Sequence, residues 1–161
     1  MNTLRHFPHA HFLSQLETSG AHACASAHAP LPPPLLRVLM APDEAGQPAP
    51  SVVALIGLLG ARAAVLQASF DTAAVADELR RYQKFARAGP PSPHIVQLRQ
   101  QQGAVRLAAS RARQSFVAAA VAFVRDACVE VPARSALEGF AIGWIETHVP
   151  KDVPLRHHGP D

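Results

Sequence analysis

The histidines are the side chains of this chain best suited to hold a metal. Three stand in the run HFPHAH as His6, His9 and His11, and two near the end as His157 and His158. A zinc site draws three or four ligands from His, Cys and carboxylates at fixed offsets on firm elements. No HxxxH or CxxC occurs, and the two cysteines, Cys24 and Cys128, stand far apart in sequence. These histidines read as belonging to flexible ends, so no metal and no cofactor is expected. Nucleophilic chemistry has no better support. GxSxG is absent, no Ser/His/Asp ordering stands out, and Asp and Glu together number 12. The GLLG at Gly57–Gly60 lacks the lysine of a phosphate loop and lies inside an apolar run. The chain reads as a protein that is not an enzyme.

The chemistry that remains is that of arginine. Between Glu78 and Asp126 there is no acid, while nine bases occur: Arg80, Arg81, Lys84, Arg87, Arg99, Arg106, Arg111, Arg113 and Arg125. The overall net charge of +3 therefore hides a strongly basic interval. Arg99, Arg106 and Arg113 are seven apart, and on a helix each falls within about 20° of the last. They form a stripe, and Gln100, Gln101, Gln102 and Gln114 add hydrogen-bonding groups beside it. Such a stripe can track phosphates of a nucleic acid or meet an acidic protein surface. Arg80, Arg81, Lys84 and Arg87 extend it. Aromatics able to stack on bases are limited to Tyr82 and Phe85, whose positions read as core. No helix-turn-helix or zinc-finger pattern accompanies the stripe.

Helices must carry these residues. A chain of 161 residues with 48% hydrophobic content suits one domain with a true core. Residues 8–18 suit a short helix with Pro8 at its start and Gly20 beyond its end. From Ala21 to Pro50 seven prolines mark a linker, in which LLRVLM (35–40) reads as a strand or an extended segment. Four main helices follow. The first spans 52–69, with Ser51 as N-cap. The second begins after Asp71, carries Val75, Leu79, Tyr82 and Ala86 on one face and an Asp77–Arg81 pair, and stops at Gly89. The third starts at Ser92–Pro93 and runs to about Val129, with Gly103 as a point of interruption. The fourth starts on a Ser135–Glu138 capping box and presents Leu137, Phe140, Ala141, Trp144, Ile145 and His148 inward. The expectation is an all-α fold: a small helical bundle over 51–148, a Pro-rich arm over 1–50 and a flexible tail over 149–161.

The run SVVALIGLLGARAAVLQASF (51–70) raises a membrane question. Its uninterrupted apolar part, Val52–Ala61, is half the length of about 20 residues that a span needs. Arg62 at a membrane centre would cost about 3 kcal/mol. A buried core helix is expected instead. Val52, Leu55, Leu58, Leu59, Val65 and Leu66 share one face, with Arg62 at its centre. Val53, Gly57, Gly60, Ala64 and Ala68 form an opposite face, small enough for a second helix to approach. Arg62 is expected to be at least half buried and held in an ion pair, with Asp77, Glu130 or Glu138 as the candidate acid, or by helix-end carbonyls.

A proline-rich lead-in before small Ala- and Arg-rich helices resembles accessory subunits of bacterial machines. The small helical subunits of CRISPR effector complexes and accessory proteins of type III secretion platforms share that size and texture, and the likeness assigns no residue a role. The expected function is thus a non-catalytic helical adaptor or accessory subunit of a larger bacterial assembly, with protein partners. The alternative is a nucleic-acid-binding subunit using the stripe. The opening residues lack a signal-peptide run, so a cytoplasmic location is expected.

Overall fold

The computed structural model describes residues 7–28, 30–42, 47–85 and 89–152. Five helices make up the fold, with no β-strand among the described residues: α1 (Ala10–Ala27), α2 (Pro33–Leu39), α3 (Pro50–Lys84), α4 (Pro93–Asp126) and α5 (Leu137–His148). The all-α class agrees with the sequence reading. The element boundaries differ in instructive ways.

The helices expected over 52–69 and after Asp71 are one continuous α3 of 35 residues. Asp71 does not cap a new helix: Gln67 donates its Nε2–H to Asp71 Oδ1 at 2.8 Å, an i,i+4 bond that supports the interior instead. Pro50 takes the first helical position after Ala49, so Ser51 lies inside the helix, where its buried hydroxyl donates to the Val38 carbonyl at 3.2 Å. Gly103 does not interrupt α4. The LLRVLM segment is neither strand nor extended. With Pro33 and Pro34 in its first turn it forms α2, burying Leu35, Val38 and Leu39. The linker reading of 21–28 fails too. The backbone breaks at Gly20, at φ 78°, a conformation suited to a residue without Cβ, and then resumes helix to Ala27, with Cys24 buried. The start of α4 is as expected: Ser92 Oγ accepts from the Ile95 N–H at 3.4 Å, and Pro93 is at the first position. The Ser135–Glu138 box is not formed, because Ala136 occupies the N-cap of α5. Residues 153–161 of the expected tail, with His157 and His158, lie outside the described residues, as does His6.

Packing divides the molecule into a thick base and a thin arm. In the base, one cluster joins Phe12, Leu13 and Leu16 of α1, Leu35 and Leu39 of α2, Leu55, Leu58 and Leu59 of α3, Phe116, Ala120 and Phe123 of α4, and Trp144 and Ile145 of α5. The sequence fits this geometry: the buried residues that α3 gives to this cluster end at Ala63 and those of α4 begin at Phe116, which are adjacent ends of an antiparallel pair. Beyond Leu66, α3 continues about 27 Å to Lys84 at 1.5 Å per residue, alongside the first half of α4. There the seam is built from Ala, Val and Thr, and the tip is closed by a separate cluster of Leu79, Ile95 and Leu98.

The chain ends of the base are clasped together. His9 is fully buried; its Nδ1–H donates to the Pro150 carbonyl at 2.8 Å, and its Nε2 stands 3.9 Å from Glu146 Oε1. The Asp152 carboxylate accepts the His11 N–H at 3.1 and 3.2 Å, and the Asp152 N–H donates to the Pro8 carbonyl at 2.6 Å. His9 is therefore a structural clasp and not part of a flexible end.

Candidate functional site

The arm places the basic residues. An antiparallel pair has two flanks, one on each side of its seam. Helical phase puts Arg99, Arg106 and Arg113 about 60–100° from the buried line of Leu98 and Phe116, at the edge of one flank. On that flank Arg106, Ala109, Ser110 and Arg113 of α4 face Val65, Ser69 and Thr72 of α3 across an open groove of about 490 Å³. The other flank is unlike it: Ala64, Gln67, Ala68 and Asp71 face Val105, Ala108 and Ala112. One side of the arm is thus cationic and hydroxyl-bearing, the other small and weakly acidic.

The expected stripe is present as three exposed side chains in different electrostatic states. Arg99 and Arg106 form no ion pair among the described residues, whereas Arg113 Nε lies 3.5 Å from Glu138 Oε1 in the first turn of α5. Of the supporting bases, Arg80 pairs with Asp77 at 3.0 Å, which replaces the expected Asp77–Arg81 pair. Arg81 and Lys84 are exposed near the tip, and Lys84 Nζ stands 6.0 Å from the Phe85 ring centroid. Arg87 lies outside the described residues.

Tyr82 and Phe85 are not core residues. They are 48% and 80% exposed, because α3 turns Val75 and Leu79 toward α4 and brings Tyr82 only to the first turn of that helix. Tyr82 packs edge-on against His94, with centroids 4.3 Å apart. Together with Phe70, Glu78 and Arg81 they border an open recess on the outer side of α3.

Arg62 sits where base and arm join, and it is half-buried. Its guanidinium carbon is 6.0 Å from the Phe116 ring centroid. It forms no ion pair among the described residues, and two of its candidate partners are engaged elsewhere, Asp77 with Arg80 and Glu138 with Arg113. The carboxylate it influences is Glu146. That group is held below its ordinary range chiefly by a hydrogen bond from Lys151, at 2.6 Å, with the charges of Lys151, His9 and Arg62 adding to it against the effect of desolvation. The small face of α3 meets α4 only at its far end, at Ala64 and Ala68; at Gly57 and Gly60 an added Cβ meets nothing within 4 Å among the described residues. By length and composition α3 is also the one helix among the described residues able to cross a membrane, and its leucine face is turned into the base.

The sequence reading missed Ser69, Thr72 and Ser110 as companions of the arginines, and Glu138 as the acid facing Arg113. Helical phase could have found the first three, since it sets the stripe beside the α3 contact. Glu138 follows only from where α5 docks. No group of three or more His, Cys, Asp or Glu side chains is arranged to hold a metal among the described residues. Compared with known protein families, curated proteins and solved structures, the chain matches none.

Proposed function

We propose that this chain is a non-catalytic helical adaptor, an accessory subunit of a larger and bacterial assembly. In this reading the helices and the Pro-rich N-terminal portion form a small bundle that presents the α3–α4 hairpin to a protein partner, in the cytoplasm. The observation that supports it is the arm itself. Two helices extend about 27 Å past the base with little apolar residue to bury and a flank that carries Arg99 and Arg106 without an ion pair among the described residues. A long hairpin closed only by that small tip cluster adds little to the core of the base, so reach is its evident use. The test is site-specific photo-crosslinking in the native cell, from exposed Ala104 on the arm and exposed Ser26 on the base. The adaptor reading expects a discrete adduct from Ala104. A chain that stays monomeric and gives no arm adduct overturns it.

A second reading, nucleic-acid binding, is favoured by one specific observation: Tyr82 and Phe85 are exposed beside Arg81 and Lys84. Exposed aromatic rings, next to bases that can meet phosphates, are the components of a single-strand surface. Affinity for an oligonucleotide would then fall steeply with salt, and each lost arginine of Arg99, Arg106 and Arg113 would lower the slope by about 0.7. A slope unchanged in the triple Gln variant ends this reading.

A further inference from the structure

We propose that the groove between α3 and α4 is a site for a phosphate-bearing anion, gripped by Arg106 and Arg113, with Glu138 as the built-in competitor for Arg113. The site stands apart from the adaptor reading. It shares two arginines with the nucleic-acid reading, but it needs neither Arg99 nor the aromatic tip.

Three observations and the chemistry of arginine converge on it. The groove is lined by two guanidinium groups and three hydroxyls, and no acid lines it. Arg106 and Arg113 are about 10.5 Å apart along the helix axis, a separation that two long side chains close from either side of one ligand. Arginine's planar fork suits tetrahedral oxyanions, which it meets with paired N–H donors. Arg106 has no carboxylate partner among the described residues, so its charge is unanswered within the fold.

The hydroxyls fit the same ligand. Ser110 makes no hydrogen bond among the described residues and is free to donate. Ser69 donates to the Val65 carbonyl at 2.9 Å and Thr72 to the Ala68 carbonyl at 2.7 Å. In those rotamers their lone pairs accept from a protonated phosphate oxygen; by rotating about the C–O bond they donate to an ionised one. A carboxylate ligand offers only two oxygens to these five groups, whereas a phosphate offers three or four.

Glu138 gives the site its distinctive behaviour. At 3.5 Å its contact with Arg113 is longer than the 2.7–2.9 Å of a tight charge-assisted bond, and both side chains are partly exposed. Such a pair is easily displaced. An anion entering the groove competes with it for the same N–H groups, and on binding releases Glu138 and the first turn of α5. Occupancy of the arm is thereby felt at the base.

The experiment is a titration of the full chain with inorganic phosphate and with pyrophosphate, followed by amide and arginine side-chain NMR, chloride holding the ionic strength constant. Saturable shifts centred on Ser69, Thr72, Arg106, Ser110 and Arg113 are expected. Arg106→Gln and Arg113→Gln should each weaken binding about tenfold or more, as loss of charged hydrogen bonds does. Glu138→Gln should tighten it about threefold, because the competitor is gone. That opposite sign separates the site from general charge screening. Parallel arms with an oligonucleotide and with anionic-lipid vesicles identify the source of the phosphate, if either binds in a manner lost in Arg106→Gln. Shifts that do not saturate in the millimolar range, or binding indifferent to all three substitutions, overturn the proposal. All three side chains lie on the surface, so the variants fold. An absent arm adduct in the crosslinking test bears on the adaptor alone.

Discussion

Replacing Ile95 by Ala tests whether the arm is energetically separate from the base. Ile95 is 6% exposed and belongs with Leu79 and Leu98 to the cluster that closes the tip. In a closed core, Ile→Ala costs 2–5 kcal/mol, transfer and cavity together. At the open end of a two-helix arm the neighbours can collapse into the space, so the low end applies, about 2 kcal/mol. At 1.4 kcal/mol per decade, that raises the open population of the tip about 30-fold. The loss should stay local, because the base cluster contains no residue of α3 beyond Ala63 and none of α4 before Phe116. Hydrogen exchange followed by mass spectrometry reads both regions in one experiment. Peptides covering 76–84 and 93–100 should exchange about 30-fold faster, while those covering 52–60 and 116–123 keep wild-type protection. Equal acceleration in base and tip would show one cooperative unit and refute the division into base and arm.

Three further predictions follow from the same packing. Arg62→Ala removes the guanidinium over Phe116 and the methylenes beneath it, and should lower stability by about 1 kcal/mol in a denaturant melt; Arg62→Met, which keeps the volume, should lose less. Acid should destabilise the base through two groups with the same sign. Glu146, held low mainly by the Lys151 hydrogen bond, contributes stability that is lost as pH falls through its folded value. His28 is lowered from 6.5 by burial and then by His11, so stability falls once pH drops below that ordinary value and the unfolded chain takes up the proton first; Lys151→Met should remove the Glu146 part of the acid slope and leave the His28 part. Alkylation at pH 8 should label exposed Cys128 quickly and Cys24 only on unfolding, since burial pushes the Cys24 thiol up to about 11; rapid double labelling of the native chain would contradict the buried placement.

What the sequence made legible were features carried by local rules. The Ser92–Pro93 start, the inward Ala141, Trp144 and Ile145 of α5, and the phase of Arg99, Arg106 and Arg113 all follow from caps or from 3.6-residue periodicity. What it hid depended on tertiary context. Proline was overread: in PLPPPLLRVLM it starts a helix, because a first-turn proline has no N–H to lose. Asp71 reads as the boundary between two helices, yet an aspartate inside a helix is tolerated when a neighbour such as Gln67 satisfies it. His9 and Cys24 read as parts of loose segments because their polar neighbours are exposed; each is buried only because a distant segment covers it, Pro150 in the case of His9. Glu138 has the spacing of a capping box it does not make, since its partner comes from another helix. Tyr82 has the right period for the core, but only His94 in the first turn of α4 covers it, and it stays half exposed.

The same contrast between large and small residues explains why the molecule has two parts at all. Leucine and phenylalanine in the base bring five helices together, because each large side chain needs neighbours on several sides to leave water. Alanine in the arm removes too little area to recruit a third helix. It does allow two long helices to run side by side, with propensity and a few contacts at the tip supplying the rest. Such a pair opens locally at lower cost than the base. Elements that bind and release partners are drawn from that low-stability end, and the arm's chemistry agrees with its mechanics. Of its stripe arginines only Arg113 has an ion-pair partner among the described residues, a long contact to Glu138 that ties the thin part of the molecule to the thick one.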